Sequence, residues 1–284
     1  MTSPTRIHVL LAVLATSLLV APAPSRASGL PNRTLSAIDN SVSLSFMQSQ
    51  IGYGERLNGP SSRYFDTDQG GLPGGRIAVS GLRDDGINNL YARASFSQVS
   101  GHLNYNGGTS GGTPLMFPEY SKMTDWALRV GQGFVWGRDI LFIPYVTYGK
   151  HDWWRGEPPS VTNPGDYTEQ YSNEYLGGGL LLQTALTRNL AMSLNFAYAE
   201  TLRPSINAPL LGFSEGLGTS PWKRAGVSFD YRFARNDSLF AGARFTTFTY
   251  GAGPVVSCGT GCSINEPYSK TNVVDYNVGF RLLY

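Results

Sequence analysis

The sequence predicts an all-β protein, an antiparallel up-and-down transmembrane β-barrel of about ten strands, and three observations carry that prediction. Charged residues make up only 15% of the 284-residue chain, against about 25% in ordinary soluble domains. Hydrophobic residues recur with a period of two in segment after segment, the spacing of strands with one apolar face. The connections between those segments alternate between short and long, as in a meander seen from its two ends. With 34 glycines and 17 prolines the chain is also too rich in helix breakers for a helical bundle.

The first element is a leader. Met1 to His8 is polar, with Arg6 its single charge, Val9 to Ala21 is apolar, and Ser25-Arg26-Ala27 supplies a small-x-small cleavage site. That order predicts a signal peptide over residues 1–27. The apolar run is too short for a membrane anchor, which needs about 20 residues. Losing Arg6 and Arg26 leaves basic and acidic residues balanced, so no polycation for nucleic acid is expected. Residues 28–40 read as a short tail and 41–284 as the barrel.

Strands are expected near residues 41–53, 74–82, 88–104, 121–136, 139–150, 168–184, 188–200, 221–234, 238–250 and 270–284. The alternation is plain in 224–233, where Ala225, Val227, Phe229, Tyr231 and Phe233 interleave with Arg224, Gly226, Ser228, Asp230 and Arg232. In the first strand the apolar residues change face near Met47. Short connections are expected at 83–87, 137–138, 186–188 and 234–237, and long ones at 54–73, 105–120, 151–167, 201–221 and 251–269. Aromatic residues collect at strand ends, as Trp126, Trp136, Tyr145, Tyr148, Trp153, Trp154, Trp222, Tyr250 and Tyr284, where interfacial girdles sit.

Alternation alone does not separate a sandwich in water from a barrel in lipid. Strand length, alternating turn length and the aromatic ends favour lipid, where only closure satisfies every backbone N–H and C=O of a sheet. The apolar faces then point outward. Parity sends Arg93, Asp125, Arg129, Arg224, Asp230, Arg232, Arg244, Asp275 and Arg281, with Glu174 or a neighbour, toward the lumen. Ten strands lie nearer the side-chain-filled barrel of eight than the water-filled one of 16, so these mixed charges are expected to pair.

The chain ends in Tyr276-x-Val278-x-Phe280-x-Leu282-x-Tyr284. With the strand pattern, this resembles the outer-membrane β-barrel superfamily of Gram-negative bacteria, over the whole chain after the leader. The resemblance implies residence in the outer membrane among its lipid and lipopolysaccharide, a periplasmic tail at 28–40, and insertion by the barrel assembly machinery, which reads a terminal signal like Tyr276, Val278, Phe280, Leu282 and Tyr284. Here the last residue is Tyr rather than the more usual Phe.

Chemistry-bearing motifs are few. Cys258 and Cys262 are the only cysteines, and in an exported chain they are expected to form a disulfide across the last long loop. Beyond the leader only His102 and His151 remain, too few for a histidine-rich metal site. No cofactor is expected. Gly108-Thr109-Ser110-Gly111-Gly112 matches a nucleophile elbow in spelling but lies between strands rather than on a strand-to-helix turn. Omptin proteases are also ten-stranded and carry acidic pairs with a His-Asp couple at the outer rim. His151-Asp152 fits such a place, whereas Asp84-Asp85 falls on a short turn at the other end. The expected role is structural or surface-interacting, through the outer loops over a largely filled lumen. A narrow porin-like channel is the alternative, and an omptin-like enzyme comes third.

Overall fold

The computed structural model describes residues 33–56, 65–83, 89–108, 113–137, 139–156, 168–209, 213–259 and 262–284. The leader 1–27, Asp84-Asp85 and Ser110 lie outside the described residues. After a short helix, α1 (Arg33–Asp39), come β1 (Ser41–Arg56), β2 (Asp66–Arg83), β3 (Leu90–Gly108), β4 (Pro114–Gln132), β5 (Phe134–Trp136), β6 (Ile140–Arg155), β7 (Glu169–Ala185), β8 (Leu190–Ala208), β9 (Phe213–Gly216), β10 (Pro221–Arg232), β11 (Asp237–Tyr250), β12 (Val256–Gly259), β13 (Cys262–Ile264) and β14 (Tyr268–Leu283). Ten long strands pair antiparallel in the order β1-β2-β3-β4-β6-β7-β8-β10-β11-β14, and β14 pairs with β1 over Ser41↔Leu283 to Arg56↔Tyr268, closing the barrel. The short β5 continues the edge beside β6. On the loop side β9 extends β8, and β12 and β13 form a separate hairpin.

All ten predicted strands are present, and most run further toward the long connections than periodicity indicated. A membrane strand needs about 9–11 residues. β2 has 18 and β3 and β4 have 19 each, so the barrel extends roughly 15–20 Å past the bilayer on that side. The outer surface shows where the boundary falls. Val42, Leu44, Phe46, Ile77, Val79, Leu128, Val130, Phe229, Leu239, Val278 and Phe280 form an exposed apolar band toward the chain termini. Above it the same outward positions carry Gln50, Gln69, Asn104, Lys122, Gln170, Lys223 and Lys270.

Met47 is explained by this boundary. β1 stays in register with both neighbours, and no residue is inserted. Leu44 and Phe46 face lipid, whereas Met47, Ile51 and Tyr53 face the interior of the stretch above it. Apolar groups point outward where the solvent is hydrocarbon and inward where it is water.

The tail at 28–40 is not simply a tail. Residues 33–39 form α1, whose Leu35 and Ile38 are fully buried against Leu82, Tyr91, Leu141, Ile143, Leu181 and Ala191, stoppering the end of the lumen where the short turns lie. Thr34 Oγ1 donates to Arg188 O at 2.7 Å, and Arg281 Nη1 donates to Ile38 O at 2.8 Å. Higher in the lumen, glycines make room for aromatic rings: a Cβ on Gly179 would lie 2.3 Å from the Tyr145 ring.

Candidate functional site

The charges that parity sent inward divide into layers. Nearest α1, Arg281 pairs with Asp230 at 2.9 Å. Arg244 pairs with Asp275, to which Ser49 Oγ also donates. Across the lumen, Arg224 of β10 reaches Asp125 of β4 at 3.4 Å, and Tyr175 of β7 donates to the same carboxylate at 3.3 Å. Arg93 and Arg129 also face inward, directly opposite one another on β3 and β4. Arg232 sits at the rim on the turn side, where its Nη2 donates to Arg188 O at 3.1 Å, rather than inside the lumen. Glu174 faces outward, bound by Tyr148 and Arg203, while its neighbours Asn173 and Tyr175 point in.

The histidines part company. His151 is buried in the lumen, its ring 5.1 Å from that of Phe248, beside a cavity of about 40 Å³ that Asp125 and Asp275 also line. His102 lies on the outer surface against Tyr120. Asp152 does not form a couple with His151 in that cavity: successive strand residues face opposite ways, and Asp152 pairs on the other face with Lys150 at 2.9 Å. The same parity corrects the aromatic girdle. Trp126 and Tyr148 stack edge to face with each other, outside the lumen, and Trp136 and Tyr284 are exposed. Tyr145, Trp153, Trp222 and Tyr250 are buried inside.

Those inner rings form an aromatic layer across the upper lumen. Tyr53, Trp153, Tyr171, Tyr250, Phe248, Trp222 and Tyr175 contact one another in sequence. Tyr250 donates across to Asn173 Oδ1 at 2.8 Å, and Trp153 Nε1 donates to Ser121 Oγ at 2.6 Å. Above this layer lies the densest charge cluster among the described residues, at positions that sequence periodicity does not single out. Arg155, at the end of β6, is buried and meets Asp68 at 2.7 Å, Glu55 at 3.1 Å, Glu119 at 3.3 Å and Glu169 at 3.4 Å. Its guanidinium carbon is 4.5 Å from the Tyr53 ring centre and 5.2 Å from that of Trp153. Tyr171 ties in a fifth carboxylate, donating to Glu266 at 2.7 Å.

One guanidinium does not neutralise five carboxylates, and removal from water penalises each charge that remains. Burial pushes Asp68 up to about 7 against the pull of Arg155, with Glu119 and Glu55 adding like-charge repulsion. Burial likewise lifts Glu119 and Glu169, and holds Glu266 well above the usual carboxylate range. The cluster therefore binds protons more readily than carboxylates in water do. Chemically it is a proton-rich clasp joining β1, β2, β4, β6, β7 and the segment before β14. The sequence did carry a signal for it: Gly149, His151, Trp153 and Arg155 continue the inward parity of β6 into what was assigned to a loop.

At the chain's end, Tyr276, Val278, Leu282 and Tyr284 line the outer surface with Phe280 beside them, and Tyr284 Oη donates to Ser80 O at 2.7 Å. The side chains of Cys258 and Cys262, expected as a disulfide, lie outside the described residues. Among the described residues no group of His, Cys, Asp and Glu is arranged to hold a metal ion.

No protein-family model matches the sequence, and no curated protein matches it. Among solved structures, the outer-membrane protease OmpT from Escherichia coli superposes with a TM-score of 0.55 at 10% identity, covering 89% of this chain and all of that one. The translocator domain of the autotransporter NalP from Neisseria meningitidis matches at 12% identity, with a TM-score of 0.42 and 98% of each chain covered. Ail of Yersinia pestis matches at 10% identity and a TM-score of 0.34, with 86% and 99% covered. At these identities the likeness to OmpT is one of fold: a ten-stranded barrel of the outer-membrane architecture.

Proposed function

Proceeding from that architecture, a closed ten-stranded outer-membrane-type barrel, we propose that this protein is exported by its leader and spans the outer membrane with its short turns in the periplasm. It acts at the cell surface through its loop end, as a structural or surface-interaction protein whose lumen gives solutes no through-passage. The observation that supports this most directly is closure at both ends. α1 stoppers the periplasmic side with Leu35 and Ile38, and the aromatic layer with the Arg155 clasp crosses the outer side. A role for the clasp in holding loop bases together fits better than hydrolysis, because four of its carboxylates are committed directly to Arg155. In the membrane the apolar band meets lipid. Lys122, Lys150, Lys223 and Lys270, outward and above that band, suit lipopolysaccharide phosphates, and the terminal Tyr276-to-Tyr284 strand suits recognition by the assembly machinery.

Planar-bilayer recording on the purified, folded protein tests the closed lumen. The expected trace shows no steady ion current. A sustained conductance would replace this reading with that of a narrow channel.

A further inference from the structure

Between the Arg224–Asp125 layer and α1 lies a cavity of about 130 Å³ with five arginines in its wall: Arg76, Arg93, Arg129, Arg244 and Arg281. Two of the three opposing carboxylates are ion-paired, and the third, Asp39, keeps Oδ2 buried without a hydrogen-bond partner. Asp230 pairs with Arg281, Asp275 with Arg244, and Asp39 accepts a hydrogen bond from Gln183 at 3.1 Å. Arg93 and Arg129 stand directly opposite one another across β3 and β4, an arrangement of like charges that destabilises a strand pair. Among the described residues, Arg129 meets the face of Tyr145, 5.0 Å away. Nε and Nη2 of Arg76 are shut off from solvent with no acceptor.

Among the described residues, five guanidiniums thus face three carboxylates within the barrel wall. A guanidinium does not shed its proton to escape burial, so the excess charge needs a mobile counterion. The space is about ten times what a single water requires. Forked N–H donors on several sides match the oxygens of a tetrahedral anion better than they match a spherical halide.

We propose that this cavity is a binding site for a small oxoanion of the phosphate or sulfate class, held by Arg76, Arg93 and Arg129. The anion neutralises the Arg93–Arg129 pair and supplies the acceptor that Arg76 lacks. Because the site lies within the lumen and needs no through-passage, it stands apart from the closed-lumen reading, and a conductance result does not decide it.

Calorimetric titration of the folded, detergent-solubilised full chain with inorganic phosphate in chloride-poor buffer tests the assignment. The expected result is one saturable site per barrel, weakened at least about tenfold in Arg93→Gln and in Arg76→Gln, and retained in Arg232→Gln, which alters an arginine at the rim. Heat-modifiable gel mobility identifies the variants that fold, and either cavity variant suffices. No saturable uptake by the wild-type barrel, equal affinity in a folded cavity variant, or equal displacement by chloride would each overturn the proposal.

Discussion

Replacing Arg155 with Met keeps much of the side chain's volume and removes the charge on which four carboxylates converge at 2.7–3.4 Å. Breaking a buried ion pair from one side costs about 3–5 kcal/mol when the partner stays charged. Here the partners have an escape, because they can take up protons. Their folded-state affinities for protons are already raised: Asp68 moves from 3.8 to about 7, a difference of about 4 kcal/mol at 1.36 kcal/mol per unit. A carboxyl with a raised folded pKa binds more protons folded than unfolded. Its favourable contribution is complete below the unfolded value, near pH 4, and is lost as pH rises toward 7. The wild-type clasp should therefore be tighter at pH 5 than at pH 8. Loss of Arg155 should cost little at pH 5, below about 2 kcal/mol, and about 3–5 kcal/mol at pH 8, where the acids must either ionise beside one another or take up protons from a solution that holds few. Denaturant unfolding of wild type and Arg155→Met in the same lipid vesicles at the two pH values gives the comparison. An equal cost at both, or a larger cost at pH 5, would refute the claim that carboxyls of raised proton affinity surround Arg155.

Three further outcomes follow from the layers. Leu44→Arg, on the outward apolar band, should destabilise the inserted barrel by roughly 2–4 kcal/mol, while Gln50→Arg, above the band on the same strand face, should cost under about 1 kcal/mol; vesicle unfolding compares them, and equal effects would misplace the membrane boundary. Leu35→Ala empties a fully buried position in α1 and should cost about 2–5 kcal/mol if the helix is integral to the barrel, whereas a dispensable helix would leave unfolding unchanged. Gly179→Ala would set a methyl group against the Tyr145 ring, whose hydroxyl lies 3.2 Å from Phe196 O, and should cost about 1–3 kcal/mol through overpacking; adding Tyr145→Phe, which keeps the ring, should not relieve the loss.

The sequence by itself determined the class of fold, the ten strands, their order and the face that most of the strand charges take, with Arg232 and Glu174 the exceptions, because a strand repeats every two residues and lipid punishes the wrong parity. Asp125, Arg224, Asp230 and Arg281 were assigned to the lumen on that basis alone, and the structure places them there. Position at a strand end fails as a guide where the surroundings change along a strand. Trp153 and Trp222 were assigned to a girdle because aromatics at strand ends suit an interface, yet they face inward, since above the bilayer the apolar face of the barrel is the inner one. Tertiary structure alone decided which charges meet. Glu55, Asp68, Glu119, Glu169 and Glu266 belong to five separate segments of chain, and nothing local in any of them announces Arg155. Their convergence follows from barrel closure and strand stagger, which turn distances of up to about a hundred residues along the sequence into hydrogen bonds across the lumen. Likewise the stopper helix was too short to stand out by periodicity. It is held by the turn end of the lumen that receives Leu35 and Ile38, and that surface exists only once the barrel has closed.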